Sequence, residues 1–218
     1  MRRPSSRCRQ HGAQVGIDAG LTSLVTLSTG EKVSNPRHER HDRARLARAQ
    51  RALAHKQKGS SNRDKARQRV ARVHARIADR RRDHLHKLTT RLVRDNQTVV
   101  IEDLHVRGLT ANHSLARAIS DAGWSELRRM LTYKCAWYGR ELLVVDRFYP
   151  SSKTCSTCRR LAASLPLSMR AWPCQGCGTW HDRDVNAAKS ILAAGLAVAA
   201  CGADGRPRRE SSRAGGQR

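Results

Sequence analysis

Cys155, Cys158, Cys174 and Cys177 stand in a C-x2-C-x15-C-x2-C array, which constrains the C-terminal third of this chain more tightly than any other feature. Each C-x-x-C turn points two thiolates at one spot, and the fifteen residues between the pairs let a short ribbon bring the second turn opposite the first. The result is a closed, tetrahedral four-thiolate site of the structural zinc type. Disulfides or thiols buried by chance are the alternatives, and the doubled spacing weighs against both. Such a ribbon has almost no apolar core. The metal would supply its folding free energy, on the order of 10 kcal/mol or more, and without zinc the segment is expected to be unfolded. Three further cysteines, Cys8, Cys135 and Cys201, form an odd remainder with no export signal, which argues against a disulfide framework.

Charge identifies the class of partner. The 218 residues carry 43 Lys and Arg against 18 Asp and Glu, a formal charge of +25, and 39% hydrophobic content suffices for one main core and a satellite. An Arg-rich surplus of this size points to a polyanion, nucleic acid foremost. No apolar run approaches the length of a spanning helix, and Met1 to Cys8 lacks a signal-peptide core, so a cytoplasmic protein without membrane partners is expected.

Hydropathy patterning orders the elements. Gln14 to Asp18 reads as a strand, Gly20 turns the chain, Leu24 to Leu27 forms a second strand, and Thr29-Gly30-Glu31 opens a short third. From Arg37 to Asp95 the pattern is helical and charged, broken at Gly59-Ser60-Ser61-Asn62, which reads as the turn of a helical hairpin. Its second helix carries Val70, Val73, Ile77, Leu85, Leu88 and Leu92 as a narrow apolar stripe. Thr98 to Glu102 is a central-strand run ending on an acid. Ser120 or Asp121 is the expected cap of a helix running through Leu127, Met130, Leu131 and Cys135 to Gly139, and Glu141 to Asp146 makes another buried strand. Asp184 to Ala200 is Ala-rich and helical. The division expected is a disordered basic terminus (1–12), an α/β domain (13–150) with the hairpin (37–95) inserted, the ribbon (151–180), a final helix (181–200) and a disordered tail (201–218).

Three acids fall where a metal-dependent nuclease needs them: Asp18 in the first strand, Glu102 ending the Val99-Val100-Ile101 strand, and Asp184 opening the last helix. If those strands are neighbours at the centre of one sheet and the helix crosses it, the three carboxylates share one pocket. Carboxylates are natural ligands for Mg2+ or Mn2+, and two such ions about 4 Å apart activate water and stabilise the leaving oxygen in phosphodiester hydrolysis. For Asp18, a strand-end acid paired with an arginine is the competing reading, and spacing alone leaves both open.

Val15-Gly16-Ile17-Asp18-Ala19-Gly20, Val99-Val100-Ile101-Glu102-Asp103-Leu104 with Val106-Arg107-Gly108-Leu109, and His181-Asp182-Arg183-Asp184-Val185-Asn186-Ala187-Ala188 resemble the three RuvC-type motifs of the TnpB (OrfB) family of transposon-encoded proteins, relatives of the type V CRISPR effectors. In the third motif the family's catalytic acid lies two residues before Asn, hence Asp184 rather than Asp182. Ser151-Ser152-Lys153-Thr154-Cys155 with the two knuckles resembles the family's zinc ribbon, and Val73-His74 through Asp83-His84-Leu85-His86-Lys87-Leu88 its inter-motif helix. The likeness covers about residues 13 to 195. It implies an RNase H-like (RuvC-type) mixed sheet, a two-metal nuclease site on Asp18, Glu102 and Asp184, and cleavage of DNA guided by RNA in intact members. Members carry an N-terminal half before the first motif that holds guide RNA and reads the target. Only about a dozen residues precede Val15, so the chain is expected to be the catalytic half alone. Arg159 stands where the family usually has Gly.

Residues Arg37 to Asp95 hold 20 Lys and Arg against 6 Asp and Glu. A merely soluble helix mixes signs for i,i+4 pairs, so Arg67, Arg69, Arg72, Arg76, Arg80, Arg81 and Arg82 are expected to meet phosphates. Arg183 either holds the scissile phosphate or pairs with Asp182. His74, His86 and His181 have no second ligand at metal spacing and read as packing or hydrogen-bonding residues. Trp124 and Trp137 are expected in the core, while Trp172 and Trp180, flanking the second knuckle, are candidates for base stacking. Three functions compete: a divalent-metal DNA endonuclease, a zinc-ribbon remnant that binds DNA or RNA without cutting, and a DDE-type transposase.

Overall fold

A computed structural model describes residues 13–166 and 168–202. Residues 1–12 and 203–218, on which the expected disordered ends fall, lie outside them. The elements, in order, are β1 (Gln14–Ala19), β2 (Ser23–Leu27), β3 (Lys32–Ser34), α1 (His38–Ala54), α2 (Ser61–Asp95), β4 (Thr98–Glu102), α3 (Val106–Thr110), α4 (Ala116–Ala122), α5 (Trp124–Tyr138), β5 (Glu141–Val145), β6 (Ala171–Pro173), β7 (Trp180–Asp182) and α6 (Arg183–Gly202).

Five strands make one mixed sheet in the order β3-β2-β1-β4-β5, antiparallel across β3, β2 and β1 and parallel across β1, β4 and β5. This is the mixed α/β sheet that the resemblance implies. The two central strands are covered on both sides, which explains their unbroken apolar runs. Val15, Ile17, Val99 and Ile101 join the main core with Leu85, Leu88 and Leu92 of α2 and Leu127, Met130 and Leu131 of α5. On the opposite face, Val100 packs with Val145 and Ile191 of α6.

Glycine lets α6 come close. A Cβ on Gly16 would lie 2.2 Å from the Ala188 carbonyl oxygen and 2.7 Å from Leu192 Cβ. Gly195 makes the reciprocal approach, with its absent Cβ 2.3 Å from Val100 Cγ1. Helix backbone therefore rests directly on strand backbone one turn after Asp184 and two residues before Asp18.

The hairpin turns over residues 55–60, slightly earlier than the Gly59-Ser60-Ser61-Asn62 run suggests: Ser61 and Asn62 already belong to α2, whose cap is the Ser60 hydroxyl, accepting the Arg63 N–H at 3.2 Å. The stripe on α2 serves two clusters in succession. Val73 and Ile77 pack with Leu46 of α1 in a small cluster of their own, and Leu85 onward enters the main core.

Two expectations are corrected here. Ser120 and Asp121 do not cap α5; both lie within α4, and Gly123, at φ 69, ends α4 and starts α5. The Asp121 carboxylate instead accepts the Glu39 N–H at 3.0 Å, capping the distant α1. Trp124 is buried as expected, but Trp137 is 78% exposed, because the last turns of α5 carry it to the solvent side.

Candidate active site and metal centre

The register Ile17↔Ile101 sets Asp18 next to Glu102 at one end of the sheet, and side-chain alternation turns both toward the α6 face. Asp184 is in the first turn of α6. The three acids share one electrostatic environment. Asp18 forms no ion pair among the described residues, so the arginine-paired alternative is not what its surroundings offer. Burial, and then the charges of Glu102 and Asp184, push its carboxyl up to about 8 against a weaker downward pull from Arg183. Glu102 is raised by burial, opposed by a hydrogen bond from the Ser151 hydroxyl. Asp184 lies 3.9 Å from Lys32 Nζ and 3.5 Å from Arg170 Nη1. Among the described residues the carboxylates do not gather as closely as the cysteines do, and only the four cysteines form a cluster with ligand atoms all within 4.8 Å of one another.

Asp182 has a different task. Its Oδ1 accepts the N–H groups of Asp184 and Val185, each at 3.1 Å, and its Oδ2 meets Lys32 Nζ at 2.7 Å. It satisfies the open end of α6 in the manner of a cap. Lys32, lying against both acids, was not singled out from the sequence; a lone lysine in a short edge strand gives no signal of what it faces across 150 residues.

At the ribbon, Cys155 and Cys177 sulfurs are 3.7 Å apart and those of Cys158 and Cys174 are 3.6 Å apart. A zinc tetrahedron with bonds of about 2.3 Å has sulfur edges of about 3.8 Å, so the cluster fits structural zinc. The Cys177 thiol is lowered to about 6, chiefly by hydrogen bonds with Thr179, and Cys174 is lowered by the N–H groups of Gly176 and Cys177. Against a backbone hydrogen bond with Arg160, desolvation and the neighbouring thiols together push Cys158 up to about 11, so in the metal-free cluster the thiols do not all favour the thiolate. His181 is tied in behind them, with Nε2 3.1 Å from Cys155 Sγ, as its hydrogen-bonding reading expected. Arg159 holds φ 66, the left-handed conformation that suits the glycine usual in the family.

One proposed nucleic-acid contact is corrected. Trp172 is only 4% exposed and packs its ring on His181 at 4.9 Å, inside the ribbon rather than on offer to a base; Trp180 remains exposed. Arg183 is buried, with Nη1 donating to the carbonyls of Pro166 at 2.6 Å and Met169 at 3.5 Å; it forms no ion pair with Asp182 among the described residues, while its charge bears on Asp18. A residue missed from the sequence is Phe148, 85% exposed just after β5, where the chain passes from the sheet to the ribbon. The single phenylalanine of the chain carried no motif to mark it.

On the hairpin the arginines divide. Arg67 pairs with Asp64, Arg80 with Asp42, Arg81 with Asp121, and Arg82 with Asp79 and Glu126. Arg69, Arg72 and Arg76 instead line a groove of about 510 Å³ with Arg45 and Arg48 of α1, over a floor of Ala49, Ala52 and Val73. None of these five has an acidic partner among the described residues. Among those residues, too, no helix is long and apolar enough to cross a membrane.

These features agree with what known proteins share with the chain. The family model OrfB_IS605, described as "probable transposase", matches residues 2–113, and the Cas12f1-like TNB domain matches residues 124–191. A Streptomyces pristinaespiralis protein named as a candidate RNA-guided DNA endonuclease is 70% identical over 203 residues, covering 93% of this chain and 50% of that protein. InsQ of Escherichia coli K12, named in the same terms, is 39% identical over 205 residues, covering 87% and 51%. Among solved structures, the cryo-EM Cas12f1-sgRNA-target DNA complex matches with a TM-score of 0.57 at 18% identity, over 82% of this chain and 49% of that one, a likeness of fold alone. The chain spans about half the length of the curated relatives it matches, and it belongs to the TnpB (OrfB) family, with the four-cysteine ribbon set between its second and third acidic motifs.

Proposed function

We propose that this chain is the nuclease portion of an RNA-guided DNA endonuclease, hydrolysing phosphodiester bonds at Asp18, Glu102 and Asp184. The observation that carries this reading is Asp18: a half-buried acid with no ion pair among the described residues, its carboxyl pushed up to about 8 by burial and by two further acids. A group so perturbed in a cluster of like charge marks a functional site, and a divalent cation is the partner that relieves it. The three carboxylates are the residues that would hold Mg2+ or Mn2+. When bound, such ions lower the pKa of water and stabilise the leaving oxygen. The protein's own groups hold the strand: Phe148 and Trp180 offer exposed rings to bases, and Arg45, Arg48, Arg69, Arg72 and Arg76 neutralise phosphates of DNA or guide RNA. Guide RNA and target DNA as partners are supported by the chain's likeness to relatives named as candidate RNA-guided DNA endonucleases. Zinc fills the ribbon and leaves no open position for catalysis.

Mn2+-dependent cleavage of single-stranded DNA tests the reading, with the chain alone and with it joined to the portion of the Streptomyces relative that it does not match, loaded with that relative's guide. Alanine at Asp18, Glu102 or Asp184 should abolish cleavage about as fully as the triple variant, since the site is assembled or lost as a unit. Asp182→Ala should be much milder. Cleavage by the joined protein that survives Asp184→Ala but not Asp182→Ala overturns the assignment of the third acid.

A further inference from the structure

The segment Ser151-Ser152-Lys153-Thr154-Cys155-Ser156 joins the sheet to the first knuckle, and three of its residues bind groups beside the acids. Ser151, buried, donates its hydroxyl to the Glu102 carboxylate. Three residues on, the Thr154 carbonyl accepts from Asn186 Nδ2 at 2.8 Å and from Ser190 Oγ at 3.0 Å. The Ser156 N–H then donates to Asn186 Oδ1 at 2.9 Å. Asn186, 1% exposed, thus uses both ends of its amide to clasp the residues on either side of Cys155, and it sits two residues after Asp184 on α6. Cys155 itself is a cluster sulfur and contacts His181, which lies three residues before Asp184. Every one of these partners is remote in sequence and buried or half-buried, where an unmatched polar group is costly, so the pairings are strongly specified.

We infer that residues 151–156 form a strap that makes the geometry of the acid site depend on the ribbon's zinc, with Ser151 and Asn186 as positioning residues; this rests on the reading of Asp18, Glu102 and Asp184 as a divalent-cation site. Zinc fixes Cys155, and Cys155 lies between the two residues that Asn186 holds. The ribbon's own apolar cluster is small, built from Cys155, Leu165, Trp172 and Cys174, and cannot hold the knuckle in place without metal. Releasing zinc frees the strap, so Glu102 loses the hydroxyl that orients it and the first turn of α6 loses its clasp.

Two measurements on the full chain test the strap. Amide hydrogen exchange of residues 183–187 should speed up when zinc is removed by chelation, while Val99 to Ile101 in the core stay protected. Mn2+ affinity, read by electron paramagnetic resonance, should fall by about 10- to 100-fold in Ser151→Ala and in Asn186→Ala, the range for groups that orient metal ligands, with zinc still near one per chain and the thermal midpoint of Ser151→Ala little changed. Ser151→Thr, which keeps the hydroxyl, should restore it. Unchanged exchange at 183–187 on zinc removal overturns the strap, as does Mn2+ affinity in Ser151→Ala equal to wild type. If wild-type protein binds no Mn2+, the acid-site reading falls, and the exchange at 183–187 alone decides whether the strap exists.

Discussion

Replacing Gly16 with alanine would place a methyl group 2.2 Å from the Ala188 carbonyl oxygen and 2.8 Å from the Leu192 nitrogen. Neither atom can rotate away, because both belong to the backbone of α6. Strand β1 cannot retreat either, since Val15 and Ile17 pack the opposite face into the main core. Relief therefore requires α6 to lift by roughly 1 Å, and overpacking of this kind costs about 1–3 kcal/mol. The same movement carries Asp184, one turn from Ala188, away from Asp18, two residues from Gly16. Mn2+ affinity should then drop about tenfold or more although no ligand has changed, in line with losses seen when groups supporting a metal site are disturbed. Urea denaturation of the zinc-loaded protein and Mn2+ titration read the two effects. Gly195→Ala gives the contrast, since the atoms nearest its methyl all belong to the Val100 side chain. Val100→Ala should partly rescue Gly195→Ala, whereas Ala188→Gly should not rescue Gly16→Ala, because there the collision is with a carbonyl. Stability of Gly16→Ala within about 0.5 kcal/mol of wild type, or its rescue by Ala188→Gly, would refute the claim that backbone contact pins the helix.

Asp18, raised to about 8, contributes stability in metal-free protein that is fully present below its unfolded value near 3.8 and is lost as pH rises toward 8, because over that window the folded state binds the extra proton. Denaturation midpoints should fall across pH 4 to 8, Asp18→Asn should flatten the decline, and Mn2+ should bind more tightly as pH approaches 8; a decline unaltered in Asp18→Asn places its origin elsewhere. Fresh reduced protein should carry about one zinc by elemental analysis, and less than about half an equivalent, with Cys155→Ser equally folded, would contradict a structural site. Affinity for nucleic acid should drop by orders of magnitude between about 50 and 200 mM salt, and reversing Arg45, Arg48, Arg69, Arg72 and Arg76 together should flatten that slope, an effect not expected from Arg80→Glu, whose partner is Asp42. Arg159→Gly should raise the thermal stability of the zinc-loaded ribbon by about 1 kcal/mol, by releasing a left-handed arginine.

What could be read in advance was whatever a residue carries in its local pattern. The doubled Cys-x-x-Cys spacing and the apolar run from Val99 to Ile101 each encode a local geometry and appear where the pattern put them, and the Gly-Ser-Ser-Asn break marks the hairpin turn to within a few residues. Asp18 and Glu102 could be paired because two central strands leave few choices of register. Roles set by the partner rather than by the neighbour were misread or passed over. Asp121 has the composition of a local cap, yet it serves a helix 82 residues away. The helical window around Trp137 says that one face is buried but not which turn leaves the core. Arg183 stands beside Asp182 in sequence, yet two backbone carbonyls in the ribbon, rather than that acid, claim its guanidinium. Arg45 and Arg48 became part of a groove only when α1 folded back on α2, and Ser151 and Asn186 gained meaning only through contacts with groups 49 and 32 residues away.

One feature of α2 bears on how a bound polymer would be presented to the acids. Its 35 residues form one continuous helix and contain neither glycine nor proline, the two residues that most often break or kink a helix. At 1.5 Å per residue, Arg72 in the arginine groove stands about 30 Å along the axis from Leu92 in the core. The arm is thus a strut without a joint: whatever backbone lies in its groove is held at a set distance and direction from the sheet, and a swing of the arm would have to be taken up by bending the whole rod or by repacking Leu85, Leu88 and Leu92 beneath it.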